Sequence, residues 1–385
     1  MITLNSKAEK RLQQGHPWIF RSDLSIPENT LAGAVSLQNT SKKFLGLALY
    51  SPYSQIALRT LSAKNQSIDL NFFKQRITQA WERRKQLKLP SNAYRIVFGE
   101  SDFIPSFILD FYNGALSFQI LSAGLESCRG LVLQAVEEIF HPEILVERND
   151  VSVRRLENLE QAQGLLKGEK SFIEIEEGSL RFEVDLLEGQ KTGAFLDQRD
   201  NRMLASLLAQ GKKKLLDACA YNGWFACHMA KKSAGKVIAL DQSEKALQQV
   251  ERNARLNQLN NIEVLCQNVF DYLKEADQRK EKFDLINLDP PAFVKSSSQL
   301  TQALKGYKEI NLRAMKLLEA EGILITSSCS HHLSENLFIE VLQQAARDAR
   351  RQVQILFRGQ QGPDHPALLG FPESKYLKCF VLRVI

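Results

Sequence analysis

The 385-residue sequence is poor in metal ligands and thiols: six cysteines, six histidines, and no two cysteines in a CxxC pair. With no His-rich cluster beside them, neither a zinc site nor a disulfide framework is expected. Long apolar runs are missing too. No stretch approaches the ~18 consecutive residues of a membrane span, and the opening MITLNSKAEKRLQQGHPW holds no signal-peptide core. These absences predict a cytosolic protein with no membrane partner. Internal repeats and low-complexity tracts are absent as well. What remains, 44% hydrophobic and 24% charged, is ordinary globular composition in a chain long enough for two or three domains. Charge is unevenly spread. Residues 1–90 carry 14 Lys and Arg against 5 Asp and Glu, so +9 of charge stands at the N-terminus and −3 in the rest. A basic module is what phosphate-backbone binding needs, and it is also what a solvated surface looks like.

Hydrophobic patterning divides the chain further. From Gly33 to Leu61, short alternating runs broken by Asn39-Thr40-Ser41 and Ser51-Pro52-Tyr53 predict a small β-rich module. Helical spacing over 70–89 stops before Pro90. Residues 109–121 read as two strands around an Asn-Gly turn, and 127–140 as a helix, inside a mixed α+β segment covering about 95–185. After Arg199 strands and helices alternate. KKLLDACA, KVIALD, IEVLCQ, FDLINLDPP and GILITSSCS are strands with helices between them, and RQVQILFR and KYLKCFVLRVI close the sheet. Such alternation specifies an α/β, Rossmann-like doubly wound sheet whose ligands lie beyond the strands' carboxyl ends.

The first of these strands ends in LDACAYNGWF, with Asp217 at its tip and Gly223 before the next helix. A tight turn between strand and helix lets the backbone approach a nucleotide, although one glycine falls short of GxGxxG. The second strand ends in Asp241, placed to accept from ribose hydroxyls or to cap the helix that follows. The arrangement resembles a class I S-adenosylmethionine-dependent methyltransferase, with Asn268 where that family usually has an acid near the adenine. The fourth strand ends in DPPAF, where Asp289 precedes a rigid Pro290-Pro291 loop suited to stacking a flat base.

Further segments narrow the resemblance. GHPWIF at 15–20, YRIVFGESDFIPSFILDFY at 94–112, QKTGAFLDQR at 190–199, DPPAF followed by SCS, DHP at 364–366 and KYLK at 375–378 are together similar to bacterial large-subunit rRNA cytosine-5 methyltransferases with an N-terminal PUA domain. That resemblance implies a PUA-like RNA-binding domain over 1–70, an α+β central domain over 71–185 and a catalytic domain over 186–385. It implies S-adenosylmethionine as cofactor, held by Asp217, Tyr221, Gly223, Asp241, Asn268, Asp289, Thr192 and Gln198. Its partner would be large-subunit ribosomal RNA or its precursor, and it leaves room for a homodimer. Two departures stand out: Trp224 where the family usually has a second glycine, and Ser106 where a glycine is commoner. Trp224 either crowds the cofactor or faces the sheet.

Carbon 5 of cytosine is a poor nucleophile, so methylating it requires a thiolate to attack carbon 6 first. Cys329, at a strand end in TSSCSHH, stands where the family has that nucleophile, and Asp289 is suited to hold the cytosine amine and ring nitrogen. The base that removes the carbon 5 proton is not legible; His331 and His332 are equally good capping or RNA-contacting residues. Cys219, Cys227, Cys266 and Cys379 read as packing residues, and Cys128 has no base or second thiol beside it. In the N-terminal module Arg11, His16, Trp18 and Arg21 combine cations with an aromatic able to stack on an unpaired base, or else form core and rim. Two other functions stay open: methylation elsewhere, such as a guanine ring nitrogen, and a non-catalytic RNA-binding role in ribosome assembly.

Overall fold

The structure, a computed structural model, describes residues 1–293 and 300–385. Two units form within the chain: Met1–Glu176 with Val184–Leu196 and Pro363–Lys375, and Glu177–Glu183 with Asp197–Gly362 and Tyr376–Ile385.

In the first unit the short alternating runs become β1 (Ile2–Leu4), β2 (Trp18–Ile19), β3 (Leu24–Ser25), β4 (Gly33–Gln38), β5 (Phe44–Tyr50) and β6 (Leu58–Ser62), with α1 (Ser6–Gln13) after β1. They pair in the order β2-β6-β5-β4-β1-β3 and bury Ile2, Leu4, Ile19, Leu37, Ala48 and Leu58. Helical spacing next yields α2 (Leu70–Gln86), whose N-cap Asp69 accepts from the Phe72 N–H. A second sheet follows, built from β7 (Ala93–Phe98), β8 (Phe107–Tyr112), β9 (Ala115–Ile120), β10 (Leu145–Arg148) and β11 (Gln163–Lys167) in the order β11-β10-β9-β8-β7. The β8–β9 turn is Asn113-Gly114, both with positive φ, as a two-residue hairpin demands. Helices α3 (Ala123–Glu126), α4 (Arg129–Phe140) and α5 (Val153–Leu156) complete this part. Phe73, Ile77 and Ala80 of α2 join Val132 and Val136 of α4 in one core with Leu109, Leu116 and Phe118. Ser106 is buried with φ 64°, which explains why a glycine suits that position.

The chain changes unit within β12 (Phe172–Glu177) and β13 (Leu180–Asp185). The second unit then runs α6 (Arg199–Leu208), β14 (Lys214–Ala218), α7 (Trp224–Ala230), β15 (Lys236–Asp241), α8 (Glu244–Leu256), β16 (Ile262–Cys266) and α9 (Val269–Gln278). It continues with β17 (Phe283–Leu288), α10 (Leu300–Leu317), β18 (Leu318–Ser328), α11 (Glu335–Ala349), β19 (Val353–Gly359) and β20 (Lys378–Val384). The seven strands lie in the order β16-β15-β14-β17-β18-β20-β19, with β20 antiparallel to its neighbours β18 and β19. Near-continuous apolar strands are required because both faces are covered. Leu216, Leu240, Ile286 and Leu324 pack on one face, and Leu215, Val237, Ala239, Leu285 and Ile325 on the other. Strand order reverses beside β14, the switch point at which such sheets open a crevice.

One buried ionic group ties the second unit together. Arg202 of α6 donates to both oxygens of Glu177, each at 2.6 Å, and His228 Nε2 lies 3.0 Å from the same carboxylate. Trp224 packs here: it is 3% exposed, stacked on Phe182 of β13, outside the seven-stranded sheet, with centroids 4.5 Å apart, and covered by the Arg202 guanidinium at 4.8 Å. Burial pushes the Glu177 carboxyl up, but the Arg202 charge and hydrogen bonds, with help from His228, outweigh it and hold the group at about 2. A depressed carboxylate contributes stability that is present above its ordinary value of 4.5 and lost as pH falls through about 2. Arg202→Met should cost about 3–5 kcal/mol by stranding the Glu177 charge, and adding Glu177→Gln should recover part of it. Urea unfolding of the two variants measures this; no recovery in the double variant would place the cost in packing on Trp224.

Candidate active site

Parallel register decides which residues meet. Ala218 pairs with Leu240 on one side and Leu288 on the other, and Leu288 pairs with Thr326. Asp217, Asp241, Asp289 and Cys329 therefore sit at or just past the carboxyl ends of β14, β15, β17 and β18, along one edge of the sheet.

Between β14 and α7 the backbone turns sharply. Cys219, Tyr221 and Gly223 have φ of 63°, 50° and 76°, three left-handed residues in alternation. A Cβ on Gly223 would lie 2.7 Å from a Val250 methyl, so only glycine fits there. The Tyr221 N–H donates to one oxygen of Asp241 at 2.9 Å, and the Ser243 N–H to the other at 3.0 Å. Asp241 thus does what its capping alternative requires while its carboxylate remains at the strand tip. Asp289 accepts from Gln198 Nε2 at 2.9 Å, and Gln198 is held by Asn201 at 2.6 Å. Asn268 caps α9, its Oδ1 accepting from the Phe270 N–H at 2.9 Å, with its side-chain amide N–H groups beside that cap.

Asp217 is 1% exposed. One oxygen accepts from Asn287 Nδ2 at 2.8 Å; the other has no partner among the described residues. Burial, then the Asp289 and Asp241 charges, push its carboxyl up to about 7 against the hydrogen bond from Asn287 and a weaker pull from the Ala226 backbone N–H. A buried acceptor without a donor, a glycine-only turn and three converging carboxylates fit a polar, cationic nucleoside such as S-adenosylmethionine.

Cys329 follows β18 and is half-buried. Its loop is fixed from beneath: Ser328 Oγ donates to Tyr307 Oη at 2.9 Å, Tyr307 lies 3.1 Å from Ser330 Oγ, and Lys378 Nζ donates to the Ser330 carbonyl at 2.7 Å. Tyr307 also packs on Phe293, 4.7 Å between centroids, joining the DPPAF loop to the Cys329 loop. Burial raises its phenol, with a smaller push from Cys329. The ring of His331 faces Tyr376 at 5.6 Å, and His332 is exposed. Tyr307 falls in an ordinary helical pattern and was not marked by the sequence reading; Lys378 entered it only as the end of KYLK, with no role given. Asn287 did carry a signal: an amide inside the apolar strand FDLINL.

Other expected residues lie in the first unit. Thr192 is fully buried there, its hydroxyl donating to Asp110. Arg11 pairs with Asp23 at 3.3 Å and covers Phe20; His16 Nδ1 accepts from the Trp18 N–H at 3.1 Å. Trp18 Nε1 donates to Glu100 at 2.8 Å and its ring meets Phe371, while Arg21 donates to the Ser51 and Ser54 carbonyls. Each has an internal partner. Cys227 and Cys379 are buried, their thiols pushed up by burial, as packing residues would be. The expectation fails for Cys266, which is exposed at the end of β16, the edge strand of the sheet; Cys219 lies in the turn after β14, half-buried, with burial raising its thiol.

The sheet order and the loaded carboxyl edge define a class I methyltransferase fold. A model of the S-adenosylmethionine-dependent methyltransferase family matches residues 151–376, and a PUA-like domain model matches residues 2–63. The chain is 40% identical to ribosomal RNA large subunit methyltransferase I of Tolumonas auensis, covering 100% of this chain and 99% of that one. It is 37% identical to the protein of that name from Escherichia coli O139:H28, with the same coverage. In fold it matches a Streptococcus mutans chain proposed as a SAM-dependent methyltransferase, at TM-score 0.86, 24% identity and full coverage of both. SMU.776, crystallised with S-adenosylhomocysteine, matches at TM-score 0.87 and 22% identity over 99% of each chain. The chain belongs to the ribosomal RNA large subunit methyltransferase I family, and its cofactor is S-adenosylmethionine.

Two outcomes follow from the carboxylates. Asp241→Ala should weaken S-adenosylmethionine binding by about 1.5–3 kcal/mol in calorimetry, with the fold retained; unaltered affinity would remove Asp241 from the cofactor site. Asp217 is protonated below about 7 and ionised above it. A cation bound nearby favours the ionised form, so cofactor affinity should rise as pH increases through that value, about tenfold per unit of pKa lowering. Asp217→Asn should flatten this profile; a pH-independent wild type would count against it.

Proposed function

We propose that this protein methylates carbon 5 of a cytosine in large-subunit ribosomal RNA through a covalent adduct to Cys329. The observation that carries this reading is the placement of Cys329 just past β18 on the same sheet edge as Asp289 past β17, the two strands being adjacent and parallel. The names of the relatives support the RNA substrate, and the thiol supports carbon 5, because a ring-nitrogen acceptor needs no nucleophile. The PUA-like domain over 2–63 and the +9 charge of residues 1–90 supply the surface for the RNA backbone, with Arg11, His16, Trp18 and Arg21 inside it.

The Cys329 thiolate attacks carbon 6, forming a carbon–sulfur bond and moving the ring's electron pair to carbon 5. Bound S-adenosylmethionine would supply an electrophilic methyl group, which carbon 5 takes with that electron pair, leaving S-adenosylhomocysteine. Asp289, fixed by Gln198, holds the cytosine amine and ring nitrogen as charge shifts through the ring. Loss of the carbon 5 proton then returns an electron pair to the ring and expels the Cys329 thiolate. Asp217, Tyr221, Gly223, Asp241 and Asn268 orient the cofactor, and Tyr307, Ser328, Ser330 and Lys378 keep the nucleophile's loop from moving away.

Cys329→Ala should abolish methyl transfer while leaving cofactor and RNA affinities nearly unchanged, since the lost interaction forms only along the reaction path. RNA carrying 5-fluorocytosine should be trapped as a covalent adduct by the wild type, because fluorine cannot leave as a proton, and not by the variant. Robust methylation by Cys329→Ala would overturn the mechanism in favour of a ring-nitrogen acceptor, and mass-spectrometric mapping of the modified nucleotide would identify it.

A further inference from the structure

A second aromatic and cationic cluster lies in the first unit, apart from the residues considered so far. Phe103 follows the turn Gly99–Asp102 with φ 61°, and its side chain is 48% exposed. A bulky residue in the left-handed region is strained where glycine or asparagine is not, and an outward ring returns little of that cost by burial. Folding alone therefore does not account for phenylalanine here.

The charges beside it are unbalanced. Arg76 of α2 lies over the Phe103 ring at 5.4 Å and over Phe72 at 5.0 Å. Its N–H groups donate to the carbonyls of Leu61 at 3.2 Å and Phe103 at 3.4 Å, and among the described residues it has no carboxylate partner. Arg83 and Arg84 share one buried carboxylate, Asp102, at 2.8 and 2.5 Å, and Arg83 keeps 46% of its side chain exposed. Two guanidiniums thus share a single acid while the third has none among the described residues, and burial together with Arg83 holds Arg76 below its usual value. An unneutralised cation pair calls for anions, and an exposed ring between them calls for a flat apolar partner. A nucleotide offers both.

We propose that Phe103, flanked by Arg76 and Arg83, is a stacking platform for an unpaired base of the substrate RNA, with the two arginines on the adjoining phosphates. This rests on the ribosomal RNA reading above. RNA is favoured over an acidic protein segment because the site presents a half-exposed ring edged by guanidiniums, a pairing that suits a flat base with its phosphates.

The test uses the full-length protein with Phe103→Leu, Phe103→Asn and Arg83→Gln, and four probes: a protein-free large-subunit rRNA transcript, a short oligoadenylate strand, a duplex of equal length and protein-containing large-subunit particles. Both Phe103 variants should bind the transcript and the single strand about tenfold more weakly. Duplex binding should change little, and the melting temperature of Phe103→Asn should hold or rise because its backbone strain is relieved. Arg83→Gln should reduce the salt slope for the single strand by about 0.7. Wild-type affinity and slope in all three variants would overturn the platform. So would a loss confined to protein-containing ribosomal particles, which would assign the surface to a protein partner. A wild type that binds the transcript through Phe103 yet transfers no methyl group would support the platform and count against the cytosine reading alone.

Discussion

Three carboxylates at neighbouring strand ends are the constraint around which the second unit is arranged. Parallel register brings Asp217, Asp241 and Asp289 to one edge, where their charges oppose each other and burial worsens the cost for Asp217. The fold holds them with fixed donors: Asn287 to Asp217, the Tyr221 and Ser243 amides to Asp241, and Gln198 to Asp289. One Asp217 oxygen is still left without a partner among the described residues. An edge assembled this way is under-neutralised until a cation arrives, and a sulfonium nucleoside is such a cation. Pre-oriented donors also mean that little reorganisation accompanies binding.

Strain is distributed in the same spirit. Cys219 and Tyr221 take left-handed conformations to make the turn before α7, and a side chain at Gly223 would strike Val250. Backbone of this kind persists only where its surroundings over-determine it. Here β14, β15 and α8 do so, through the Tyr221 amide on Asp241 and the Val250 side chain against the glycine.

How much of this was legible in the sequence follows from what each signal encodes. Asp217, Asp241, Asp289 and Cys329 could be read because an acid or thiol at the end of an apolar run marks a strand tip, and alternation with helices forces those tips to one edge. Trp224 could not be read, because its partner Phe182 stands some forty residues earlier and the guanidinium covering it comes from α6. The same limit applies to Arg11, His16, Trp18 and Arg21, whose internal partners Asp23, Phe371, Glu100 and the Ser51 and Ser54 carbonyls no local pattern announces. Cys266 was misread because an edge strand has only one sheet neighbour, a fact fixed by strand order and not by local pattern.

The two sides of the carboxyl edge impose opposite electrostatic demands, and the structure separates them along the sheet. Near Asp217 and Asp241 a thiol is held protonated: burial and then the carboxylates push Cys219 well above its usual range. A nucleophile placed there would be inert at neutral pH. Cys329 instead stands past β18, with β17 between it and β14, beside serine hydroxyls and the tyrosine Oη. The ammonium of Lys378, opposite Ser328 in register, binds the Ser330 carbonyl and adds a positive charge to that end of the edge. Strand order thus does chemical work: the cationic cofactor belongs where negative charge accumulates, and a thiolate belongs where it is diluted. In the proposed reaction Asp289, past the strand between β14 and β18, is the acid placed to hold a base that reaches from one to the other.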